Sequence, residues 1–252
     1  MEQAILNLQH LTKSFDGKKI LDDLSIDIGR NEFVTLLGPS GCGKTTTLRI
    51  IGGFATPDEG KVIFDGKDIT NLSPDKRHIN TVFQKYSLFS HMSVGENIAF
   101  GLKLKKKSKS YIQDKIKYAL KLVDLEGFED RHPMSLSGGQ QQRIAIARAI
   151  AKHPKIFVFD DSFSALDLKT DAKLRKALAD TVEDSTVIIV AQRISTILHA
   201  DQILVLDEGE IVGKGTHEEL MKHCTVYQEI AKSQMSAKEL GLTDGEEAEK
   251  HE

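Results

Sequence analysis

Short runs of apolar or alternating apolar and polar residues fill the first third of the chain, and they predict strands. The predicted strands span residues 5–12, 20–28 and 33–37, and they are separated by Asp16-Gly17 and by Gly29. Two further runs, 61–64 and 67–69, flank Asp65-Gly66, a residue pair that favours a tight hairpin turn. This part of the sequence therefore predicts β structure.

The pattern changes in the middle of the chain and again after it. Across residues 93–131 apolar positions recur at helical spacing, as at Ile112, Ile116 and Leu120, which predicts a helical insertion. After it, apolar strands predicted at 155–159, 186–190 and 202–206 alternate with helical patterns, among them an amphipathic helix at 167–182. Alternation of this kind is typical of an α/β fold with a mostly parallel sheet flanked by helices.

Composition excludes several classes of protein. The 252 residues are 40% hydrophobic and 28% charged, the balance of an ordinary globular chain, and the net charge of −3 gives no basic field for nucleic acid. No apolar stretch is long enough to cross a bilayer, and the first ten residues lack the features of a signal peptide. We expect a cytoplasmic chain that reaches a membrane only through a partner.

Two charged segments depart from this balance. Residues 103–109 contain five lysines, which favour a solvated loop or helix end and leave contact with lipid headgroups as the alternative. Residues 243–252 are almost wholly polar and charged, which predicts a disordered tail. The two cysteines and nine histidines show no spacing typical of a disulfide framework or a metal site.

The stretch GPSGCGKTT, residues 38–46, has the composition of a phosphate-binding loop. It lies between a predicted strand and a predicted helix, the order in which glycine N–H groups and a helix N-terminus can surround a polyphosphate. Lys44 can reach the outer phosphates, and the Thr45 hydroxyl can hold Mg²⁺. Cys42 lies in a setting that can lower a thiol pKa, although a small residue fitting the loop is the simpler interpretation. The predicted nucleotide-binding residues here are Gly38, Ser40, Gly41, Cys42, Gly43, Lys44, Thr45 and Thr46.

A second glycine-containing motif, LSGGQQQR, occupies residues 136–143. Ser137 is placed as the N-cap of a small-residue helix predicted at 144–152, and Gly139 and Gln140 follow it. A hydroxyl, bare glycine N–H groups and the positive end of a helix together predict a second anion site.

With both motifs, the sequence resembles the ATP-binding cassette family over nearly its whole length. The resemblance implies a P-loop NTPase fold with an antiparallel β subdomain and a helical insertion. It also implies two cassettes, identical or different, that dimerise head to tail, so that each ATP lies between one loop around Lys44 and the partner's signature around Ser137. It further implies membrane transporter subunits as partners and placement at the inner face of the membrane. A cassette that acts on ribosomes or DNA is disfavoured, because the chain contains one cassette and no long basic arm.

Further positions take family roles only by this resemblance. Phe15 matches the aromatic residue that stacks on adenine, and a core residue at a strand end is the alternative. Gln84 matches a Mg²⁺-contacting glutamine, Asp160 matches the Mg²⁺-associated aspartate, and residues 164–167 match a loop that communicates across the dimer. The implied divisions are a core of residues 1–88 and 154–236, a helical subdomain of residues 89–153, and a tail of residues 237–252.

The two halves resemble different members of the family. The first half is similar to polyamine-type importer ATPases, and the second to the ATP-binding domain of multidrug-type exporters. The hypothesis is a natural or engineered chimera with its crossover near residues 147–154, and an unusual natural cassette is the alternative.

Two departures from the family pattern affect the predicted catalysis. Asp161 occupies the position where active cassettes have a glutamate that polarises the attacking water, and Gln192 occupies the position of a histidine. Because phosphoryl transfer depends on positioning and charge, the prediction is a Mg-ATP-binding cassette with slow hydrolysis in which Lys44, Asp161 and Gln192 act on the phosphate. The alternative is a dimerisation module with negligible turnover.

Overall fold

The computed structural model describes residues 4–83, 86–160, 162, 170, 174, 184–191, 194, 197, 198 and 200–235. Its strands are β1 (Leu6–Phe15), β2 (Lys18–Ile28), β3 (Phe33–Leu37), β4 (Glu59–Phe64), β5 (Lys67–Asp68), β6 (Ile79–Val82), β7 (Ile156–Phe159), β8 (Thr186–Val190), β9 (Gln202–Asp207) and β10 (Glu210–Gly215). Its helices are α1 (Lys44–Gly52), α2 (Val94–Leu104), α3 (Lys109–Leu122), α4 (Gly138–Lys152), α5 (His217–His223) and α6 (Thr225–Gln234).

Four strands form an antiparallel sheet in the order β2-β1-β4-β5. Tight turns join β1 to β2 and β4 to β5, and both use an Asp-Gly pair with positive φ at each residue, as at Asp65 (φ 49°) and Gly66 (φ 74°). Such turns match the natural twist of paired strands. The predicted hairpin and the early strands are therefore confirmed.

Six strands form the second sheet, in the order β10-β9-β3-β8-β7-β6. All neighbours in it are parallel except the antiparallel pair of β9 and β10. Because β3, β8 and β7 run in the same direction, their carboxyl ends meet at one edge. The segment that follows β3 and the segment that follows β7 are thereby placed one strand apart, at the edge where α/β proteins bind ligands.

Both faces of the six-stranded sheet are buried, because successive side chains of a strand point to opposite sides. On one face Phe157, Phe159 and Ile189 pack in a core with α2, α3 and α4. On the other face Val158 and Ile188 pack in a core with α1 and the four-stranded sheet. The mostly parallel sheet flanked by helices, and the helices of residues 93–131, are confirmed.

Some expectations fall on residues that the structure does not describe. They are most of the helix predicted at 167–182 and the charged tail from residue 237 onward. None of the helices in the described ranges is both long and apolar enough to cross a lipid bilayer.

Candidate nucleotide site

The phosphate-loop residues occupy the turn between β3 and α1, and its glycines are required by the backbone. Gly38, Gly41 and Gly43 have φ angles of 151°, 85° and 109°. A Cβ on Gly38 would lie 2.0 Å from the carbonyl oxygen of Leu206, and one on Gly43 would lie 2.5 Å from Leu21 Cδ2. The loop therefore packs tightly against β2 and β9, which fixes its curvature.

The N-terminus of α1 is open to a ligand. Gly43 is its N-cap, no side chain bonds to the first backbone N–H groups, and the first turn contains no acidic residue. In contrast, serine or threonine side chains cap α2, α3, α4 and α5. The positive end of α1 is thus free of the side-chain oxygens that cap the other four, and an anion fits there.

Lys44 lies over the loop. Its ammonium group donates hydrogen bonds to the carbonyl oxygens of Gly38 and Pro39, both at 2.7 Å, and lies 3.5 Å from Cys42 Sγ. All three partner atoms belong to the loop itself. The positive charge of Lys44 therefore lies beside the loop backbone. A phosphate held by this loop would lie within reach of the ammonium group.

Two side-chain oxygens, from Thr45 and Asp160, meet at the edge of the sheet. The Thr45 hydroxyl donates a hydrogen bond of 3.0 Å to Asp160 Oδ1, which follows β7 directly. Burial raises the pKa of the Asp160 carboxyl, while the Thr45 hydrogen bond and the charges of Arg49 and Lys44 oppose the rise. A hydroxyl and a carboxylate are hard oxygen donors of the kind that Mg²⁺ prefers, so this pair fits that ion.

A pocket of about 480 Å³ opens beside the loop. Its lining combines the start of β2 with the loop and the end of β9: Lys18, Lys19, Ile20, Pro39, Ser40, Gly41, Cys42, Asp207 and Glu208. Phe15, at the end of β1, is 48% exposed, with the Lys13 ammonium 5.3 Å from its ring centroid. Phe15 is therefore not a core residue, and its contact with adenine stays a prediction.

The second motif forms a capped helix start. The Ser137 hydroxyl accepts a hydrogen bond from the Gln140 backbone N–H, and the Gln140 side chain accepts one from the Ser137 N–H. Ser137 is thus confirmed as the N-cap, and α4 starts at Gly138, so the expectation that the helix begins at residue 144 was wrong. The predicted anion site at this motif consequently has its serine hydroxyl already engaged within the helix cap.

The loop and the second motif are not brought together within one chain. Among the described residues, no hydrogen bond joins residues 38–46 to residues 136–140, and the pocket beside the loop contains no residue of the second motif. Gln84, Asp161, Gln192 and the segment 164–167 lie outside the described residues, so their predicted roles stay predictions.

Two side chains of α4, Gln142 and Arg148, connect this helix to the segments that follow β6 and β7. No role was predicted for either from the sequence. The buried Gln142 amide donates to the Ser162 carbonyl oxygen, next to Asp161, and the Ser162 hydroxyl donates to the Val82 carbonyl oxygen. Arg148 donates to the Ser87 carbonyl oxygen at 2.8 Å. These contacts link the second motif's helix to the segments that follow β6 and β7. In the sequence, the only signal for Gln142 is its place in the motif QQQR, and the only signal for Arg148 is its place in the helix that follows.

A separate groove of about 320 Å³ lies between the segment after β6 and the segment before α4. Its lining residues are Tyr86, Ser87, Leu88, Ser90, Pro133, Met134 and Gln141. Met134 is 75% exposed beside it. An exposed large apolar side chain at a groove favours contact with a partner.

Comparison with known families matches the chain to one family model. The model described as "ABC transporter" matches residues 21–164, which include the phosphate loop, the second motif and Asp160.

Named relatives share about half of their aligned residues with the chain. A spermidine/putrescine import ATP-binding protein, PotA of Acetivibrio thermocellus, is 49% identical over 220 residues, which cover 86% of this chain and 62% of that protein. PotA of Clostridium novyi is 49% identical over 223 residues, covering 87% and 64%. The chain thus spans less than two thirds of the length of these relatives.

Solved structures are similar along most of the chain. A bacterial Atm1-family ABC exporter with ATP bound has a TM-score of 0.80 at 31% identity and covers 92% of this chain and 42% of that chain. The ATP-binding cassette MJ0796, solved as a dimer in a post-hydrolysis state with ADP and Pi, has a TM-score of 0.77 at 32% identity and covers 84% and 98%.

Proposed function

The chain belongs to the ABC transporter family and has its P-loop NTPase fold, and from this premise we propose that it binds Mg-ATP, dimerises around it and hydrolyses it slowly. The proposal rests most directly on one observation. The uncapped N-terminus of α1, the Lys44 ammonium and the Thr45–Asp160 pair all meet at one edge of the sheet. That combination supplies N–H donors, a positive charge and hard oxygen ligands for a phosphate chain and its metal.

In this proposal the phosphate loop and four residues outside it each have a task. The backbone of residues 38–46 holds the phosphates, and Lys44 leaves its carbonyl partners to bind the outer phosphate oxygens. Thr45 and Asp160 would hold Mg²⁺, which when bound neutralises charge that develops on the phosphates. Phe15 would contact the adenine ring. Asp161 would orient the attacking water, and Gln192 would donate a hydrogen bond to the terminal phosphate.

A second copy completes the proposed site. Since the loop and the second motif share no hydrogen bond within the described part of one chain, Ser137, Gly139 and Gln140 would act on the ATP of a partner cassette. The dimer of MJ0796 with ADP and Pi supports this arrangement. The partner is either a second copy of this chain or a related cassette.

The membrane partner is proposed on two grounds. The named relatives are import ATP-binding proteins, and the groove lined by Met134 and Tyr86 offers a docking surface with the exposed apolar side chain of Met134. We propose that a transporter subunit occupies this groove and that the cassette works at the inner face of the membrane, where it powers or regulates transport.

Slow turnover is the part of the proposal that the sequence argues most specifically. Aspartate is one methylene shorter than glutamate, and a misplacement of about 1 Å can cost roughly a hundredfold in rate. Asp161→Glu should therefore raise steady-state ATP turnover, and adding Gln192→His should raise it further. Because both side chains would address one phosphate, their effects should be non-additive. A parent rate equal to that of the double variant would contradict this proposal.

A nucleotide-dependent dimerisation module is the second candidate, since Asp161 and Gln192 both depart from the pattern of active cassettes. Steady-state ATP turnover distinguishes a slow ATPase from a dimerisation module. A parent rate no higher than that of Lys44→Ala, combined with ATP-dependent dimers in light scattering, would favour the module.

The chimera hypothesis stays a prediction. The importer relatives align over 220 residues, more than the residues that precede the proposed crossover, so part of the second half also aligns with importers. If two parents share one core, unfolding followed by circular dichroism and by intrinsic tyrosine fluorescence should give a single transition. Two transitions would mean that the halves unfold separately.

A further inference from the structure

The charge of the molecule is distributed very unevenly. Residues 103–122, named here the lysine arm, contain eight lysines and one acidic residue, Asp114. The segment carries a net charge of +7 in a chain of net charge −3, so the remaining residues together carry −10. A compact positive region on an acidic protein creates a directed local field.

The lysines of this arm are available for binding. The arm includes the end of α2, the connecting turn and all of α3, and residues 103–111 are exposed without interruption. Within the described part of the chain, no carboxylate lies within ion-pair distance of any lysine of the arm, whereas Lys13 and Lys19 each have such a partner. The charge of Lys105 also contributes to lowering the pKa of Lys152, after the larger effect of burial. Among the described residues, the eight lysines are therefore not neutralised by ion pairs, although Asp114 lies in the same segment.

Exposed apolar side chains accompany the charges. Tyr111 and Tyr118 are 38% and 41% exposed, and the Lys115 ammonium lies 5.7 Å and 5.4 Å from their ring centroids. Leu104, at the end of α2, is 70% exposed. Tyrosines combined with lysines are typical of surfaces that lie at the boundary between water and lipid, because the ring is buried among headgroups while the hydroxyl and the ammonium stay solvated.

The opposite side of α3 fixes the arm in place. Ile112, Ala119 and Leu120 are buried against α2 and α4. The helix therefore has one anchored face and one face that presents Lys117, Lys121 and the tyrosines outward. The arm is a rigid surface and not a loose tail.

We propose that the lysine arm binds the anionic headgroup surface of a lipid membrane directly, independently of any transporter subunit. Charge complementarity selects this occupant: a leaflet with acidic lipids is an extended negative surface, and it accepts both the lysines and the exposed Leu104 and tyrosines. Each lysine close to such a surface strengthens binding roughly fivefold. The rest of the chain carries a net charge of −10, which an anionic leaflet repels, so the lysine arm is the part that faces the leaflet.

The test is co-sedimentation of the full chain with vesicles, without nucleotide and without any membrane protein. Vesicles of phosphatidylcholine alone are compared with phosphatidylcholine containing about one third phosphatidylglycerol. The test variant replaces Lys103, Lys105, Lys106 and Lys107 with glutamine. The matched control replaces four exposed lysines elsewhere: Lys67, Lys214, Lys222 and Lys232. Both variants lose the same charge, and thermal melting checks that both remain folded.

The parent should bind the anionic vesicles and not the neutral ones, and added salt should weaken the binding. The test variant should lose roughly a hundredfold or more in affinity, while the control should lose far less. If the parent did not bind anionic vesicles, or if both variants lost the same affinity for them, the proposal would be overturned. So would tighter binding to a single-stranded RNA through the same four lysines, which would assign the arm to nucleic acid. None of these outcomes depends on ATP, so they leave the proposed function untouched.

Discussion

Alanine at Gly38 should be far more damaging than alanine at Gly41, although both glycines lie in the same loop with positive φ. At Gly41 a Cβ would meet no atom within 4 Å, so the cost is that of a left-handed alanine, about 1–2 kcal/mol. At Gly38 the Cβ would lie 2.0 Å from Leu206 O and 2.8 Å from Cys42 Sγ. Real Cβ atoms do not approach closer than about 3.0 Å, so β9 or the loop would have to move.

The magnitude follows from those contacts. Backbone strain at Gly38 costs about 1–3 kcal/mol, and forced displacement in a packed region adds about 1–3 kcal/mol. We therefore expect Gly38→Ala to lower the free energy of unfolding by about 2–6 kcal/mol, against about 1–2 kcal/mol for Gly41→Ala. Urea unfolding followed by circular dichroism measures both. If the two variants were destabilised equally, the packing of the loop against Leu206 would be refuted.

Three further predictions concern other parts of the molecule. Cys42, which is buried beside Lys44, should react with a thiol reagent more slowly when Mg-ATP is present; equal rates would place the nucleotide elsewhere. Arg77 donates to the carbonyl oxygens of Ile50, Ile51, Thr70 and Leu72, so Arg77→Met should cost about 2–4 kcal/mol in urea unfolding; the exposed neighbour variant Lys76→Met should cost little, and equal effects would deny Arg77 its role. Burial lowers the pKa of His217, which bonds the Tyr227 hydroxyl at 2.7 Å. The unfolded chain therefore takes up a proton below about pH 6.5 that folded His217 resists, so stability falls as the pH drops through that value; His217→Gln should flatten this slope, and an unchanged slope would contradict the assignment.

Strong local patterns predicted much of the fold. The Asp65-Gly66 turn and the apolar run at 186–190 were located correctly because turn chemistry and buried strands leave clear patterns. The strands β6 and β10 were not predicted. β6 has only four residues, and β10 contains two glycines and no fully buried residue, so neither has a pattern that separates it from a loop. Their pairing with β7 and β9 comes from tertiary contacts.

The site residues, too, fall into those that local sequence predicts and those that only the folded structure brings together. The loop from Gly38 to Thr46 could be predicted because its chemistry is local, and Asp160 was predicted only through family resemblance. The hydrogen bond between Thr45 and Asp160 joins residues 115 positions apart, and it depends on β3 and β7 ending at the same edge of the sheet. Likewise, Ser137 was predicted as an N-cap, but the helix was predicted to begin only at residue 144, because glycines at its first two positions weaken a helical pattern. The spacing of Ser137 and Gln140 is that of a capping box, which places the start of α4 at Gly138.

The most direct test is calorimetric titration of Mg-ATP into the parent chain, into Lys44→Ala and into Lys67→Ala, a variant of an exposed lysine away from the site. Charge-assisted hydrogen bonds of the kind that Lys44 would make contribute about 1.5–3 kcal/mol, so its loss should weaken ATP binding by about tenfold to a hundredfold. Lys67→Ala should bind as the parent does. If Lys44→Ala bound Mg-ATP as tightly as the parent, ATP would not lie at this loop, and the proposed nucleotide site would be wrong.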